Sequence, residues 1–208
     1  MKFICISDTH GRHHDLRLPE ADVLIHAGDF CNTGNLAELR DFSTWLAEQP
    51  YRHKVVIAGN HDRILQNDPE LAEPLLAPFT YLLDSQTEIE GLKIYGSPWQ
   101  PRFFNWAFNL DRGEPIRQKW RMIPNDVDVL ITHGPMYGVG DLAHGNNRVG
   151  CQDLFEEVTN RVKPKYHVCG HIHEGRGTYQ VGETLSINAS CLVGHFGLHA
   201  QPWMSFEL

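Results

Sequence analysis

Short apolar runs recur along this chain, and most of them lead directly into a Gly, Asp, Asn or His. Three runs, at residues 2–7, 23–27 and 54–58, are short and rich in β-branched side chains, which predicts buried β-strands. Between the second and third runs, apolar residues recur at helical spacing after the capping residue Asn35, and Pro50 follows. This alternation of strand, helix and strand predicts a parallel crossover in an α/β sheet.

The rest of the chain continues the mixture of helical and strand patterns. Gly91 lies between two short alternating segments, which is typical of a β-hairpin. The predicted helices cover 68–77, 111–122 and 151–162, the predicted strands 81–83, 127–131 and 166–169, and the predicted hairpins 88–96 and 178–189. No linker-like segment divides the 208 residues, so we predict a single domain over 1–208.

Composition and charge limit the classes of function. The formal net charge is −8, which argues against broad binding of nucleic acid polymers, although bound cations would let an acidic protein bind a small phosphorylated substrate. No apolar run reaches about 18 residues, so we expect no membrane span. The five Cys residues lack C-x-x-C spacing, and no signal peptide is visible at the start. We therefore expect reduced thiols and a cytoplasmic location.

Five polar clusters follow the predicted strands, at the carboxyl ends where open α/β sheets bind their ligands. Taken alone, several of them are also typical of ordinary turns, because Asp and Gly favour turns and a single His is often solvated. Their side chains are those that bind divalent metals. The clusters are Asp8-Thr9-His10, Gly28-Asp29, Gly59-Asn60-His61-Asp62, Thr132-His133-Gly134 and Gly170-His171-Ile172-His173.

The order of these five clusters resembles that of the calcineurin-like metallophosphoesterase superfamily. Further segments resemble its metallophosphoesterase-domain-containing subgroup related to brain protein 239, and this chain keeps His171 where some members have Gly. The resemblance implies a four-layer αββα sandwich of two mixed β-sheets flanked by helices, whereas the pattern alone predicts only an α/β domain with two hairpins. The segments include Ile94-Tyr95-Gly96-Ser97-Pro98-Trp99, Phe108-Asn109-Leu110, Arg148-Val149-Gly150-Cys151 and Ile187-Asn188-Ala189-Ser190.

The resemblance also implies two divalent metal ions. The first would be bound by Asp8, His10, Asp29 and His173. Asp29 would bridge to the second ion, which Asn60, His133 and His171 would complete. Oxygen and imidazole donors suit Mn, Fe, Zn or, less well, Mg, and we expect Mn.

The function implied by the resemblance is hydrolysis of small phosphodiesters, including 2′,3′- or 3′,5′-cyclic nucleotides. A hydroxide bridging the metals would attack in line, His61 would assist the leaving group, and Asp62 would orient the His61 ring. The same centre could instead serve a phosphomonoesterase or phosphoprotein phosphatase. A non-catalytic scaffold is a further alternative, but a scaffold would be expected to have lost ligands.

The residues that select the substrate are harder to predict. The segment 99–106 is rich in aromatic residues that could stack on a nucleobase or simply pack in the core. A second polar loop follows His133, and basic residues follow His10, where they could contact phosphate or lie idle in solvent. The candidate substrate residues are Arg12, Trp99, Arg102, Asn105, Trp106 and Arg148.

Overall fold

The computed structural model describes residues 1–194 and 197–208. The strands are β1 (Lys2–Ile6), β2 (Val23–His26), β3 (His53–Val56), β4 (Thr80–Tyr81), β5 (Ser85–Ile89), β6 (Leu92–Ser97), β7 (Gln100–Pro101), β8 (Asn109–Leu110), β9 (Val129–Thr132), β10 (Leu142–Ala143), β11 (Asn147–Arg148), β12 (Tyr166–Cys169), β13 (Gly177–Val181), β14 (Thr184–Asn188), β15 (Leu192–Val193), β16 (Gly197–Leu198) and β17 (Met204–Glu207). The helices are α1 (Leu36–Glu48), α2 (Arg63–Asn67), α3 (Pro69–Leu76), α4 (Glu114–Arg121) and α5 (Gln152–Glu157), which continues as a π-helical turn over Val158–Val162. Two 3-10 turns cover His13–Asp15 and His173–Gly175.

Two large mixed sheets carry most of the strands. The first has the order β17-β1-β2-β3-β4, in which β1 to β4 are parallel and β17 is antiparallel to β1. The second has the order β13-β14-β12-β9-β6-β5, with four parallel central strands and an antiparallel strand at each edge. The parallel strands of each sheet therefore deliver their carboxyl ends to one edge.

The apolar residues form three layers of core, because alternate side chains of a strand face opposite sides of its sheet. Between the sheets, Phe3 and Ile25 of the first sheet pack with Ile131 and Val168 of the second. The outer face of the first sheet packs on α1, α2 and α3, and that of the second on α4 and α5. This arrangement confirms the expected four-layer αββα sandwich.

Local chemistry accounts for the start of α1. The Asn35 side chain accepts a hydrogen bond from the Glu38 backbone N–H at 3.0 Å, and the Glu38 carboxylate accepts from the N–H groups of Thr33 and Gly34. Such reciprocal capping satisfies N–H groups that have no partner within the helix and stabilises it by about 1 kcal/mol. The helix begins directly after the predicted cap.

The structure contains several elements that the apolar pattern did not predict. The strand β17 has only two inward apolar residues, but Phe206 stacks on Phe3 and on Tyr166 at ring-centroid distances of 4.5 and 4.0 Å. The helix α2 and the two-residue strands other than β4, which overlaps the strand predicted over 81–83, were also not predicted, because segments this short carry no measurable period. Across residues 1–194 and 197–208, every helix is too short or too polar to cross a membrane.

Candidate metal centre

The polar clusters meet at one edge of the sandwich. Asp8 follows β1, Asp29 follows β2, Asn60 follows β3, His133 follows β9, and His171 and His173 follow β12. A β-bridge between Ser7 and Ser190 connects the two sheets at the same edge. Two groups each bring three ligand atoms within 4.8 Å of one another: Asp8, His10 and His173, and Asp29, His133 and His171.

The Asp29 carboxylate lies between the two groups. Its Oδ2 atom is 3.8 Å from His10 Nε2 and 3.3 Å from His133 Nε2. In the first group, His173 Nε2 is 3.7 Å from Asp8 Oδ1, and in the second, Asn60 Oδ1 is 3.0 Å from His133 Nε2. All seven predicted ligands are thus brought together, and Asp29 has the position that a bridging ligand requires.

Backbone carbonyls fix the orientation of the histidine rings. His133 Nδ1 donates to the Ala27 carbonyl at 2.9 Å, and His173 Nδ1 donates to the Gly194 carbonyl at 2.7 Å. Because a carbonyl oxygen only accepts, each Nδ1 carries a proton, and the Nε2 atom of each ring faces the centre, where a metal would displace any proton it carries. Metal-binding histidines are typically held in this way, so these rings fit a divalent ion.

Hydrogen bonds also orient the two carboxylates. Asp8 accepts from the Ser190 hydroxyl at 2.6 Å and from the His171 backbone N–H at 2.9 Å. Asp29 Oδ1 accepts from the His61 backbone N–H at 2.7 Å, which leaves Oδ2 to face the histidines. Both carboxylates are buried. These bonds pre-organise the oxygen donors for a metal rather than leaving them mobile.

Four of the seven predicted ligands have a left-handed backbone. For residues with a side chain this conformation costs about 1–2 kcal/mol, and such strain clusters at functional sites. The four residues are Asp8, His10, Asp29 and His171, with φ angles of 55°, 43°, 57° and 68°. The rest of the fold therefore supports a strained ligand geometry at this edge.

Two glycines allow the ligand loops to approach one another. A Cβ atom at Gly170 would collide with the side chains of Ser7 and Asp8, and one at Gly59 would collide with Asp29 Oδ1. Neither glycine has a positive φ, so close approach rather than backbone conformation explains them. Any larger residue would push the strand ends apart.

The carboxylates and histidines of the centre shift one another's pKa values. Burial acts to lower the pKa of His133, but the Asp29 carboxylate outweighs it and raises the pKa to about 9. The pKa of His171 shifts in the opposite direction, because burial and the neighbouring His133 lower it to about 4. Although burial opposes ionisation of Asp8 and Asp29, the nearby histidines hold the pKa of both carboxyls below its usual range. Two carboxylates, a set of neutral or deprotonatable imidazoles and an amide oxygen suit two divalent cations.

His61 lies beside the ligands but has different partners. Its Nδ1 atom donates to the Asn32 carbonyl at 2.6 Å, and its ring stacks on Trp106 with a centroid distance of 4.0 Å. It also meets the His10 ring edge to face at 4.5 Å. His61, His10 and Asp29 form a further group whose ligand atoms lie within 4.8 Å of one another, so His61 is within reach of the centre.

The predicted contact between Asp62 and the His61 ring is wrong. The buried Asp62 carboxylate accepts instead from the backbone N–H groups of Asp29 at 2.8 Å, Cys31 at 2.9 Å and Gly59 at 2.7 Å. These bonds connect the loop after β2 with the loop after β3. Asp62 therefore holds the Asp29 loop, while Asn32 and Trp106 orient His61.

The candidate substrate residues fall into separate environments. Arg102, Asn105 and Trp106 line a cleft of about 610 Å³ together with Arg63, which no sequence pattern singled out. The Arg63 guanidinium lies over the Trp106 ring, 4.6 Å from its centroid. Because Trp106 stacks on His61, this cleft adjoins the metal centre.

Trp99, Arg12 and Arg148 are not among the residues that line this cleft. The Trp99 indole N–H donates to Asp84 at 2.9 Å, and its ring packs on Phe108, so the structure assigns it to packing rather than to substrate stacking. Arg12 pairs with Asp15 at 2.9 Å and Arg148 with Asp141 at 2.7 Å. Each of these two arginines therefore pairs with a carboxylate that lies nearby in the sequence.

Two residues of the segment 187–190 support the centre in ways the sequence did not assign. Ser190 bonds to Asp8, and the buried Asn188 amide donates to the Ile172 carbonyl at 2.8 Å, which holds the loop between His171 and His173. The segment was part of the family resemblance, but its side chains had no predicted role. The motif could be recognised in the sequence, but the contacts of its side chains could not.

Residues 1–175 match the family described as calcineurin-like phosphoesterase. The chain belongs to this family. It is 42% identical over 219 residues to human metallophosphoesterase domain-containing protein 1, covering 93% of this chain and 67% of that protein. It is 40% identical over 232 residues to a UPF0046 protein of Caenorhabditis elegans, covering 97% of this chain and 59% of the relative. The chain thus spans about two thirds or less of these relatives.

A solved structure supports the fold of this calcineurin-like phosphoesterase. The crystal structure of TT1561 from Thermus thermophilus superposes with a TM-score of 0.63 at 13% identity, covering 91% of this chain and 88% of that one. At this identity the likeness concerns the fold alone. The family match over residues 1–175 confirms the predicted family, which acts on phosphoesters and typically binds divalent metals.

Proposed function

We propose that this chain is a dinuclear metal-dependent phosphodiesterase that hydrolyses small phosphodiesters, cyclic nucleotides among them. The observation that carries the proposal is the Asp29 carboxylate, whose Oδ2 atom lies between His10 at 3.8 Å and His133 at 3.3 Å. A shared oxygen between two nitrogen-rich groups is the arrangement that two closely spaced cations need. We further propose that the two sheets act as one domain over 1–208.

The residues would divide between two ions. Asp8, His10 and His173 would hold the first, Asn60, His133 and His171 the second, and Asp29 both. When bound, two divalent ions would supply charge neutralisation and an activated water, and we propose Mn as the metal. Because Asn60 contributes a neutral oxygen, the protein offsets only two of the four positive charges. The centre therefore attracts an anionic phosphoester.

His61 would supply the proton to the leaving oxygen. The Asn32 carbonyl accepts from Nδ1, so Nε2 is the ring atom that can take up and release a proton. Stacking on Trp106 restricts the rotation of the ring, which keeps this atom at a fixed place beside the centre. General acid assistance of this kind typically contributes about 10²–10⁴-fold to the rate.

Metal analysis and two chromogenic esters test the proposal. The purified chain, supplied with Mn, Fe, Zn or Mg, is expected to bind two equivalents and to hydrolyse bis-p-nitrophenyl phosphate faster than p-nitrophenyl phosphate. A preference for p-nitrophenyl phosphate would replace the diesterase with a monoesterase. Two bound metals without hydrolysis of either ester would favour a scaffold. A screen of 2′,3′-cyclic, 3′,5′-cyclic and linear nucleotides then identifies the diester class.

A further inference from the structure

The loop between β7 and β8 exposes two phenylalanines at the rim of the metal centre. The exposed fraction is 50% for Phe103 and 77% for Phe104, and their ring centroids are 4.4 Å apart. The Phe103 ring meets the His171 ring edge to face, with a centroid distance of 6.3 Å. Large apolar side chains are thus presented to solvent beside a proposed ligand of the second ion.

This exposure is built into the loop. The Asn109 side-chain amide donates to the Phe103 carbonyl at 3.0 Å and to the Phe104 carbonyl at 3.2 Å, and its oxygen accepts from Gln100 at 3.1 Å. Phe104 has a φ of 48°, a left-handed conformation that is unfavourable for a bulky side chain. The loop therefore bears backbone strain to hold both rings outward.

The other aromatic residues of this segment have their rings engaged. Trp99 bonds to Asp84 and packs on Phe108. Trp106 stacks on His61 and carries the Arg63 guanidinium on its ring. Of the aromatic residues at 99–106, all of which the structure describes, Phe103 and Phe104 are the ones that offer open ring surface.

We propose that Phe103 and Phe104 form an aromatic platform that packs against a planar ring carried by the substrate, such as a nucleobase. The inference rests on the proposed function and names the substrate class: a phosphoester that carries a flat aromatic ring, as a nucleotide does. Stacking tolerates any flat ring, because every base presents a π face. The platform selects for the presence of a ring, while the metal centre binds the phosphate.

Binding of a matched ligand pair tests the platform without requiring turnover. Adenosine 5′-monophosphate and ribose 5-phosphate share the sugar and phosphate and differ in the base. Isothermal titration of the Mn-supplied protein is expected to show adenosine 5′-monophosphate binding tighter by on the order of 10-fold. In the double variant Phe103→Ala/Phe104→Ala this preference disappears, while ribose 5-phosphate still binds. Both ligands are checked for integrity after each titration.

Three further variants separate stacking from other effects. Phe103→Tyr keeps a ring and retains the preference, whereas Phe103→Leu keeps apolar bulk and loses most of it. Leu71→Ala removes a similarly exposed apolar side chain, 52% exposed, from α3 and leaves the preference intact. Equal binding of the two ligands by the wild type, or an intact preference in the double variant, overturns the platform.

The platform and the proposed function fail in distinguishable ways. Hydrolysis of phosphoesters without a ring preference would overturn the platform alone. A ring preference that depends on both phenylalanines, in a protein that hydrolyses neither chromogenic ester, would overturn the proposed function alone. Loss of both properties would overturn both proposals.

Discussion

Two histidines on neighbouring strands of the second sheet are equally buried, yet their pKa values shift in opposite directions. His133, just after β9, and His167, on β12, both have no exposed surface. The carboxylate of Asp29 raises the pKa of His133 to about 9 against the effect of burial, whereas burial lowers the pKa of His167 to about 3. The His167 ring nitrogens lie against the hydroxyl groups of Thr132 at 2.8 Å and Ser186 at 2.9 Å.

The same contrast separates the sheet edge from the sheet interior. At the edge, Asp8 raises the pKa of His173 to about 9, although burial opposes this. In the interior of the first sheet, burial lowers the pKa of His26 to about 3, and its Nε2 atom meets the Thr9 hydroxyl at 3.0 Å. At this edge, carboxylate partners raise the pKa of His133 and His173 despite burial, whereas the pKa of His171 is lowered to about 4 by burial and by the neighbouring His133.

The change with the largest expected effect removes the carboxylate that distinguishes His133. Asp29→Asn takes away the charge shared by the two groups, so we expect loss of at least one bound metal and turnover no faster than the reaction in buffer. Metal content by mass spectrometry and hydrolysis of bis-p-nitrophenyl phosphate measure both effects.

Asp41→Asn is the matched control for Asp29→Asn. Asp41 also contacts two histidines, at 3.0 Å from His13 Nε2 and 3.1 Å from His14 Nε2, but it lies on α1 and none of these three residues is a proposed ligand. This variant is expected to keep two metals and full turnover. A normal metal content in Asp29→Asn would refute the shared position of that carboxylate.

His61 is the intermediate case in the comparison, because its Nδ1 is held by a carbonyl as in His133 and His173. If it acts as a proton donor rather than a ligand, His61→Ala keeps both metals and lowers turnover by about 10²–10⁴-fold. Kinetics and metal content of the same preparation decide between the roles. Loss of one metal would make His61 a ligand, as its proximity to His10 and Asp29 allows.

The strand ends and the proposed ligands were the predictable part of the molecule. Each proposed ligand lies in a polar cluster that follows an apolar run, and the end of a run can be identified from local composition. The order of the strands in the two sheets was not predictable in this way. The pattern alone predicted two hairpins, and the second sheet came from the family resemblance, because strand order depends on packing between distant segments.

The supporting contacts of the site were the unpredictable part. Asn32 and His61 are 29 residues apart, and Arg63 meets Trp106 across 43 positions, so no local pattern connects them. Asp62 was expected to orient its neighbour His61, yet adjacent side chains often point apart and its carboxylate bonds to three backbone N–H groups instead. Sequence spacing identifies which residues are near the site, but not the direction of each side chain.

Asp62 provides a smaller test, since it supports the Asp29 loop without facing the histidines. In Asp62→Asn an amide replaces an oxygen that accepts from backbone N–H groups, so we expect the free energy of unfolding to fall by about 2–4 kcal/mol. Metal affinity is expected to fall by roughly 10–100-fold, as for other groups that position ligands. Urea unfolding and competition with a chelator measure the two effects.

Asp153→Asn is the matched control for Asp62→Asn. Asp153 is also buried and accepts from the Gly113 backbone N–H at 3.0 Å and from Arg117 at 2.6 Å, in the first turn of α5 on the outer face of the second sheet. It is expected to lower stability while leaving metal affinity unchanged. Equal metal affinities in the two variants would show that Asp62 supports the fold alone.

The smallest expected effect concerns the interior histidine. The folded-state pKa of His167, about 3, lies below its unfolded value of about 6.5, so the unfolded chain binds more protons between these limits. The contribution of His167 to stability therefore falls as the pH falls through this window, by up to about 1.4 kcal/mol per pH unit. His167→Gln removes this contribution, so the wild type should lose its advantage over the variant on acidification. Urea unfolding of both proteins in EDTA at pH 6.5, 5.5 and 4.5 measures the difference, and parallel stability curves would show that His167 is protonated equally in the folded and unfolded chains.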